Sequence, residues 1–389
     1  MSEKKVGISI AGEEVEYEIA IGAGLLDAAG ERLSELVTEG SRAAIVSNEK
    51  VFGLYGERLA GSLSGAGIAS VKYLVPDGEE FKNLETAEQI ISFLSGSGLK
   101  RHDLIVALGG GVVGDVAGFA ASVYLRGLRC VQIPTTLLAM IDSSVGGKTG
   151  VNTRFGKNIV GTFHHPSTVL VDVSTLATLE RREIEAGLYE AVKQASLSCR
   201  NDLESLHSFL TGRSSGNLFD GIRGEAAFDQ LIGLVEKQVI FKAGVVSEDA
   251  RESSERSDSR SRKILNFGHT TGHALERATN FRYFKHGEAV GYGILAAAEI
   301  SKRLEICPSD SIDLLNDVVR SVGVLPPADG ISIQDVLKSI EHDKKAGSNS
   351  VQWVLLEDIG KPKILSGSGI PPNVIKESIE HAISRPHSS

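Results

Sequence analysis

Residues 103–127 read DLIVALGGGVVGDVAGFAASVYLRG. Leu104 to Leu108 is a short unbroken apolar run, the pattern of a strand buried on both faces. Gly109, Gly110 and Gly111 follow as a loop. A helix is expected to begin near Val113, with Gly114, Asp115 and Gly118 in its early turns. A strand, a glycine loop and a helix N-terminus together make an anion cradle, because free backbone N–H groups and the positive end of the helix dipole meet there. The pattern is GGGxxGD and departs from the GxGxxG dinucleotide fingerprint. A dinucleotide pyrophosphate is the expected anion; a tight strand-to-helix turn without a ligand is the alternative.

The flanking chain repeats the same alternation. Residues 4–22 alternate apolar and polar (Val6, Ile8, Ile10, then Val15, Tyr17, Ile19), as a strand pair turning at Gly12 does. Helical spacing is expected over 24–38, 52–66 and 84–97. Short apolar strands are expected at 43–47, ending in Asn48, and at 70–75, 129–133 and 168–172. Strand and helix in alternation predict a parallel sheet with helices on both faces. Ligands in such sheets gather at the carboxyl ends of the strands, where Asn48 and the pair Thr135 and Thr136 stand. Those threonines also suit a simple helix cap.

After Asp172 the pattern turns helical, over 175–210 and 226–248. A Gly- and Ser-rich loop is expected at 211–224 and a polar, mobile loop at 248–261. Helices are expected at 263–280, 287–303, 310–322 and 372–384, with a β-hairpin after Lys344 and Lys345. The fold class is therefore an α/β N-terminal nucleotide-binding domain with a parallel sheet, 1–177, followed by a mainly α-helical C-terminal domain, 178–389. A chain of 389 residues exceeds one ordinary core, which agrees with two domains.

Composition excludes several function classes. Hydrophobic residues make up 41% and charged residues 23%, the balance of a soluble globular protein. A net charge of −9 without a basic stripe argues against a nucleic-acid partner. The three cysteines, Cys130, Cys199 and Cys307, form no CxxC and no even framework, which predicts a reducing, cytoplasmic setting. The N-terminus lacks a signal-peptide core, and no run of about 18 apolar residues predicts a membrane span.

The chemistry is expected in residues 262–290, RKILNFGHTTGHALERATNFRYFKHGEAV. His269 and His273 are four apart and share a helix face. Two imidazoles so placed suit a divalent metal, with a third ligand from elsewhere; surface histidines are the bland alternative. Gly268 and Gly272 weigh for a site, since glycine costs a helix roughly 1 kcal/mol against alanine. Earlier, residues 141–161 read IDSSVGGKTGVNTRFGKNIVG. VGGKT suggests a Walker A loop, but Asp142 occupies the position that needs glycine, so a P-loop is rejected. Asp142, Lys148, Lys157 and Asn158 then remain on a glycine-rich loop that suits an anionic substrate. Glu190 and Lys193 lie three apart on a helix, and Lys242 lies in an apolar helix. Each of these taken alone is an ordinary surface charge or pair.

LGGGVVGDVAGFAAS, YLRG, IPTTLLAMIDSSVGGKTGVN, GKNIVGTFHHP and LNFGHTTGHALE followed by HGEAV resemble the 3-dehydroquinate synthases, within the sugar-phosphate cyclases. The similarity runs from about residue 40 to the DKK near 344. It implies NAD bound to the first domain and a divalent metal, usually Zn2+ with Co2+ as a substitute, in the second. The implied metal ligands are Glu190, His269 and His286, with His273 turned to substrate instead. Implied NAD positions are Asn48, Glu79, Lys82, Gly109, Gly110, Gly111, Asp115, Thr135, Thr136, Lys157 and Thr178. Implied substrate positions are Arg126, Asp142, Lys148, Asn158, Lys193, Lys242, Arg262, Asn266, His273 and Lys345, or its neighbour Lys344. The family's counterpart of Arg126 reaches into a neighbouring subunit's site, which implies a homodimer. Two departures stand out: the loop 250–261 is longer than is common, and Tyr189 replaces a small residue beside the metal glutamate.

The implied reaction converts 3-deoxy-D-arabino-heptulosonate 7-phosphate (DAHP) into 3-dehydroquinate and phosphate. NAD takes a hydride, phosphate leaves, the hydride returns, and an intramolecular aldol closes the ring. The leaving phosphate is expected to take the elimination proton. Rival readings are a 2-deoxy-scyllo-inosose synthase type acting on glucose 6-phosphate, a dehydrogenase of the glycerol dehydrogenase kind, and a non-catalytic metabolite-binding relative. Arg262, Asn266, His273 and Lys242 together favour a carboxylated substrate over the first. Net NADH release marks the second. Loss of a metal ligand would mark the third, and none is lost.

Overall fold

A computed structural model describes residues 3–10, 15–212, 225–253, 255–347 and 351–384. The chain divides into two compact units, Met1–Leu179 with Gly221–Ser247, and Glu180–Asp220 with Glu248–Ser389.

The first unit is built on a seven-stranded sheet. In chain order its elements are β1 (Lys4–Ile10), β2 (Val15–Gly22), α1 (Ala29–Ser34), β3 (Arg42–Ser47), α2 (Glu49–Val51), a π-helical turn Phe52–Gly56, α3 (Glu57–Gly65), β4 (Ala69–Leu74), α4 (Leu84–Gly96), β5 (Leu104–Gly109), α5 (Gly111–Val123), β6 (Arg129–Pro134), β7 (Lys148–Thr153), β8 (Gly156–Phe163) and β9 (Thr168–Asp172). The strand order is β1-β2-β9-β6-β5-β3-β4. All neighbours are parallel except β1 and β2, which pair antiparallel with Ile8 opposite Tyr17. The turn expected at Gly12 lies outside the described residues.

Strands β3 and β5 show why the sheet is buried on both faces. Ala44, Val46, Ile105 and Ala107 enter a core with Ile90 and Leu94 of α4 and Val116 and Ala120 of α5. The alternate residues Ala43, Ile45, Leu104, Val106 and Leu108 enter a second core with Leu33 of α1 and Leu59 and Leu63 of α3. Period-two alternation sends successive side chains to opposite faces, and both faces are covered by helices. Asn48 and Asn83 start α2 and α4 by accepting from the N–H groups of Val51 and Thr86.

Three readings of this half are corrected. Helical spacing over 24–38 yields only the six residues of α1, preceded by turns. The stretch 142–158 is no loop: β7 and β8 form an antiparallel hairpin, Val151 opposite Val160, and only Asp142 lies outside it, on the π-helical turn Ala139–Ser143. The segment 226–248 does not belong with the rest of 178–389. It is α8 (Glu225–Glu248), it follows α6 (Arg181–Ser198) and α7 (Arg200–Thr211), and it returns to the first unit through ion pairs from Glu236 to Lys4 and from Lys242 to Asp142.

The second unit is mainly helical. Besides α6 and α7 it holds a 3-10 turn Arg262–Asn266, then α9 (His269–Ala278), α10 (His286–Arg303), α11 (Ser309–Val322), α12 (Ile333–Gly347), the hairpin β10 (Gln352–Asp358) and β11 (Lys361–Ser366), and α13 (Pro372–Ser384). Helix α10 is its centre: from Gly287 to Ala298 every residue is buried. The expected helix 263–280 is broken. Gly268, at φ 77°, takes the left-handed conformation that glycine adopts without steric cost, and α9 starts only after it. A long α12 stands where only the lead-in to a hairpin was expected. The Gly- and Ser-rich stretch 213–224 lies outside the described residues. The polar segment 248–261 is irregular, as expected, but it is tied down. Asp249 accepts from Ser253 N, Ser261 Oγ and Arg262 N, and Arg256 donates to the carbonyl of Glu248.

Candidate active site

In the first unit the glycine loop lies at the carboxyl end of β5. Gly109 ends the strand, Gly110 caps α5 with extended backbone, and Gly111 is the first helical residue. Gly110 has no side chain with which to cap α5, so the first N–H groups of the helix are left for another acceptor, which suits an anion. Thr135 N donates to Gly109 O at 3.0 Å and anchors the loop to the end of β6. A Cβ on Gly110 would stand 3.1 Å from Thr136 Cγ2, so the cradle is closely lined. Thr136 Oγ1 itself accepts from Ala139 N, which fulfils the simple capping alternative.

The other predicted side chains of the first unit are largely engaged in pairs. Lys82 forms an ion pair with Asp115 on the first turns of α5. Burial pushes the Asp115 carboxyl up, against the pull of the Lys82 ammonium. Glu79 Oε1 accepts from Asn152 Nδ2 at 2.7 Å and lies 3.8 Å from Lys157 Nζ. Asn48, besides capping α2, donates from Nδ2 to Asp77. Thr178 bonds the hydroxyl of Tyr55. Lys242 Nζ donates to both the carbonyl and the Oδ1 of Asp142, at 2.5 and 2.7 Å, and is 6% exposed. Lys148 opens β7. Asn158 sits on β8 at φ 54°, its N–H held by Asn152 Oδ1 at 3.0 Å. Arg126 is exposed at φ 67°, between Leu125 at φ 50° and Gly127.

In the second unit four predicted residues converge. Glu190 on α6 is fully buried, and its Oε1 has no hydrogen-bond donor among the described residues. That oxygen lies 3.8 Å from His269 Nε2 and 3.6 Å from His286 Nε2. Donors bound tetrahedrally to one zinc ion at ordinary bond lengths stand about 3.3 Å apart, so the gap suits an ion with little adjustment. One donor atom each from His269, His273 and His286 falls within 4.8 Å of the others. Burial, then the Lys193 charge, holds His269 well below the ordinary histidine range, so its ring is neutral with a lone pair to give. An undonated buried carboxylate oxygen facing two imidazole nitrogens fits a divalent metal. Lys193 Nζ, 2.5 Å from Glu190 Oε2, balances the carboxylate charge.

Close helix packing sets these positions. A Cβ on Gly293 would fall 1.7 Å from Gly268 O, so α9 and α10 approach to backbone contact only through glycine. Arg182 donates to both oxygens of Glu288, at 2.6 and 2.8 Å, which joins α6 to the first turn of α10. Glu288 also accepts from Lys285 N just before His286. Arg262 is 3% exposed and donates to Ala250 O at 2.7 Å, while Asn266 is exposed. Lys344 and Lys345 lie on α12, and their side chains are outside the described residues.

Comparison with known proteins gives this geometry a family. The 3-dehydroquinate synthase N-terminal model matches residues 72–186, and the C-terminal model matches 187–346. A 3-dehydroquinate synthase of Nostoc sp. is 38% identical over 355 residues, 88% of this chain and 91% of that protein. The chain belongs to the 3-dehydroquinate synthase family. Among solved structures, a 2-deoxy-scyllo-inosose synthase complexed with carbaglucose-6-phosphate, NAD+ and Co2+ is 26% identical with a TM-score of 0.82, covering 97% of this chain and 99% of that one. The 2-epi-5-epi-valiolone synthase of Streptomyces hygroscopicus subsp. jinggangensis, with NAD+ and Zn2+ bound, is 27% identical at the same TM-score, covering 96% and 98%.

Within this family Tyr189 is accommodated rather than disruptive. It is 1% exposed, donates to Gly323 O at 3.2 Å, and lies where a Cβ on Gly291 would stand, 2.9 Å from Tyr189 Cδ1. Burial drives its phenol pKa far up, so it stays neutral. Sequence reasoning missed Asn152, Asp249 and Glu276. Glu276 carried a legible signal: it lies seven after His269 and three after His273, on their face of α9.

Proposed function

We infer that this chain is the phosphate-eliminating cyclase of its family, a carbon–oxygen lyase that turns DAHP into 3-dehydroquinate and inorganic phosphate on the shikimate route to aromatic amino acids. The observation that carries the site assignment is the buried Glu190 Oε1, undonated and aimed at His269 and His286. When bound, NAD supplies a hydride acceptor that gives its hydride back, and a divalent metal held by Glu190, His269 and His286 supplies a Lewis acid at substrate hydroxyls.

The chain's own residues do the rest. Backbone N–H groups at the start of α5 hold the dinucleotide pyrophosphate, with Asp115, Lys82, Glu79, Lys157 and the hydroxyls of Thr135, Thr136 and Thr178 as further contacts. Asp142 fixes the Lys242 ammonium, which with Lys148 and Asn158 binds anionic substrate groups. Arg262 is anchored through its backbone N–H on Asp249 and through its guanidinium on Ala250 O, and that guanidinium is the group for the substrate carboxylate. His273, Asn266 and Lys345 complete the binding set. The carboxylates of this set are committed: Asp142 to Lys242 and Glu190 to Lys193. The elimination proton therefore passes to an oxygen of the departing phosphate.

We also propose a cytoplasmic homodimer. The free cysteines Cys130, Cys199 and Cys307 support a reducing compartment, and among the described residues no helix is long and apolar enough to cross a membrane. The exposed Arg126, on its left-handed backbone, supports a contribution to a partner's site. The substrate assignment is tested by supplying the purified chain, loaded with NAD and zinc, with DAHP or glucose 6-phosphate. Phosphate is expected from DAHP alone; release from glucose 6-phosphate alone would move the chain to the sibling cyclases.

A further inference from the structure

We propose that Glu276 is a positioning residue that sets the tautomer and ring orientation of His286. The inference rests on the metal-site reading above and adds to it. Glu276 lies on α9 and is 2% exposed, an expensive place for a carboxylate without a partner. Its Oε2 stands 3.3 Å from His286 Nδ1. The opposite nitrogen of that ring, Nε2, stands 3.6 Å from Glu190 Oε1.

A carboxylate accepts and does not donate, so the proton of the neutral imidazole must sit on Nδ1. The lone pair is then left on Nε2, on the side of Glu190. His269 follows the same arrangement with a different acceptor: its Nδ1 lies 3.2 Å from Phe267 O, and its Nε2 faces Glu190. The two rings are thus aimed by separate acceptors, one a fixed backbone carbonyl and one a side chain. His286 depends on the side chain. It stands at the very start of α10, where the first-turn backbone makes few bonds of its own. Acceptors behind metal-bound histidines of this kind are worth roughly 10- to 100-fold in metal affinity.

The test compares wild type with Glu276→Ala and the near-isosteric Glu276→Gln, each stripped of metal and titrated with zinc against a chromophoric chelator. Cobalt absorption and thermal unfolding without metal are recorded in parallel. Glutamine keeps an acceptor oxygen but also offers an amide N–H, so it should fall between the other two. The expected result is roughly 10- to 100-fold weaker zinc binding for Glu276→Ala, a smaller loss for Glu276→Gln, and a shifted cobalt ligand-field band in both. A purely structural role would lower unfolding temperature but leave the cobalt band and the affinity of Glu276→Gln at wild-type values; that outcome overturns the proposal. Glu190→Gln serves as the separate control. If wild type and Glu190→Gln bind zinc equally, the metal-site reading itself fails, whatever Glu276 does.

Discussion

A single methyl group placed at Gly287 tests whether helix packing sets the metal geometry. Gly287 follows His286 on α10, and a Cβ there would lie 1.8 Å from Ala186 O and 2.5 Å from Ala186 C, both backbone atoms of α6. Ordinary contact begins near 3.4 Å, so Gly287→Ala must part the helices locally by about 1.5 Å or distort them. Glu190 is one turn beyond Ala186 on α6, and His286 is the residue beside the substitution. The movement therefore falls on the 3.6 Å gap between His286 Nε2 and Glu190 Oε1. Metal–ligand distances tolerate only about 0.2 Å. Overpacking costs about 1–3 kcal/mol, and a clash with backbone belongs at the upper end. If that strain appears in metal binding, it amounts to roughly 5- to 150-fold in affinity. Zinc titration against a competing chelator, with urea unfolding of the metal-free protein, measures both parts. Gly244→Ala on α8 is the control, since a Cβ there meets nothing within 4 Å, and it should be neutral or stabilising. Wild-type zinc affinity and stability in Gly287→Ala would refute the reasoning.

Three further outcomes are expected. Lys242→Met should lower turnover of DAHP by roughly 100-fold while leaving NAD affinity unchanged, because it removes a cation fixed by Asp142 and no part of the glycine cradle; steady-state phosphate release with an NADH fluorescence titration separates the two. Gly110→Ala should weaken NAD binding about 10-fold at unchanged zinc content, since its Cβ fills the cradle beside Thr136; equal NAD affinity would show that the dinucleotide lies elsewhere. Asp249→Asn should destabilise the protein in a pH-dependent way. Burial alone would raise the Asp249 carboxyl, but bonds from Ser253 N, Arg262 N and Ser261 outweigh it and leave it below its ordinary 3.8. A depressed folded pKa gives stability that is present above 3.8 and lost as pH falls through the folded value. Urea unfolding at falling pH should show the gap between variant and wild type closing in acid, and a constant gap would contradict the assignment.

The sheet was legible because its signal is local. Runs such as Leu104 to Leu108 carry their burial in their own composition, and both faces of β5 are apolar. The β7–β8 hairpin was not, because glycine there serves packing instead of turning. Gly150 and Gly161 face each other across the pair, and a Cβ on Gly161 would lie 2.3 Å from Thr149 O, so the segment looked like loop. Helix α8 has an ordinary helical pattern; its return to the first unit rests on Lys242 meeting Asp142, a hundred residues away, which no local window contains. The candidate metal site divides the same way. His269 and His273 were readable from spacing alone, and spacing selected that pair. Only the resemblance replaced His273 with His286 and added the distant Glu190, and the structure then brought Glu190 to both imidazoles. Glu276 went unread although its spacing puts it on the histidines' face, because a glutamate on a helix is ordinarily solvated and its burial shows only in the fold.

The most direct test of the account follows phosphate and absorbance at 340 nm in one cuvette, with the purified chain, DAHP, NAD and zinc. Phosphate should accumulate through many turnovers with no net NADH, and a chelator should stop it. Sustained growth at 340 nm, or phosphate release untouched by metal removal, would contradict the account.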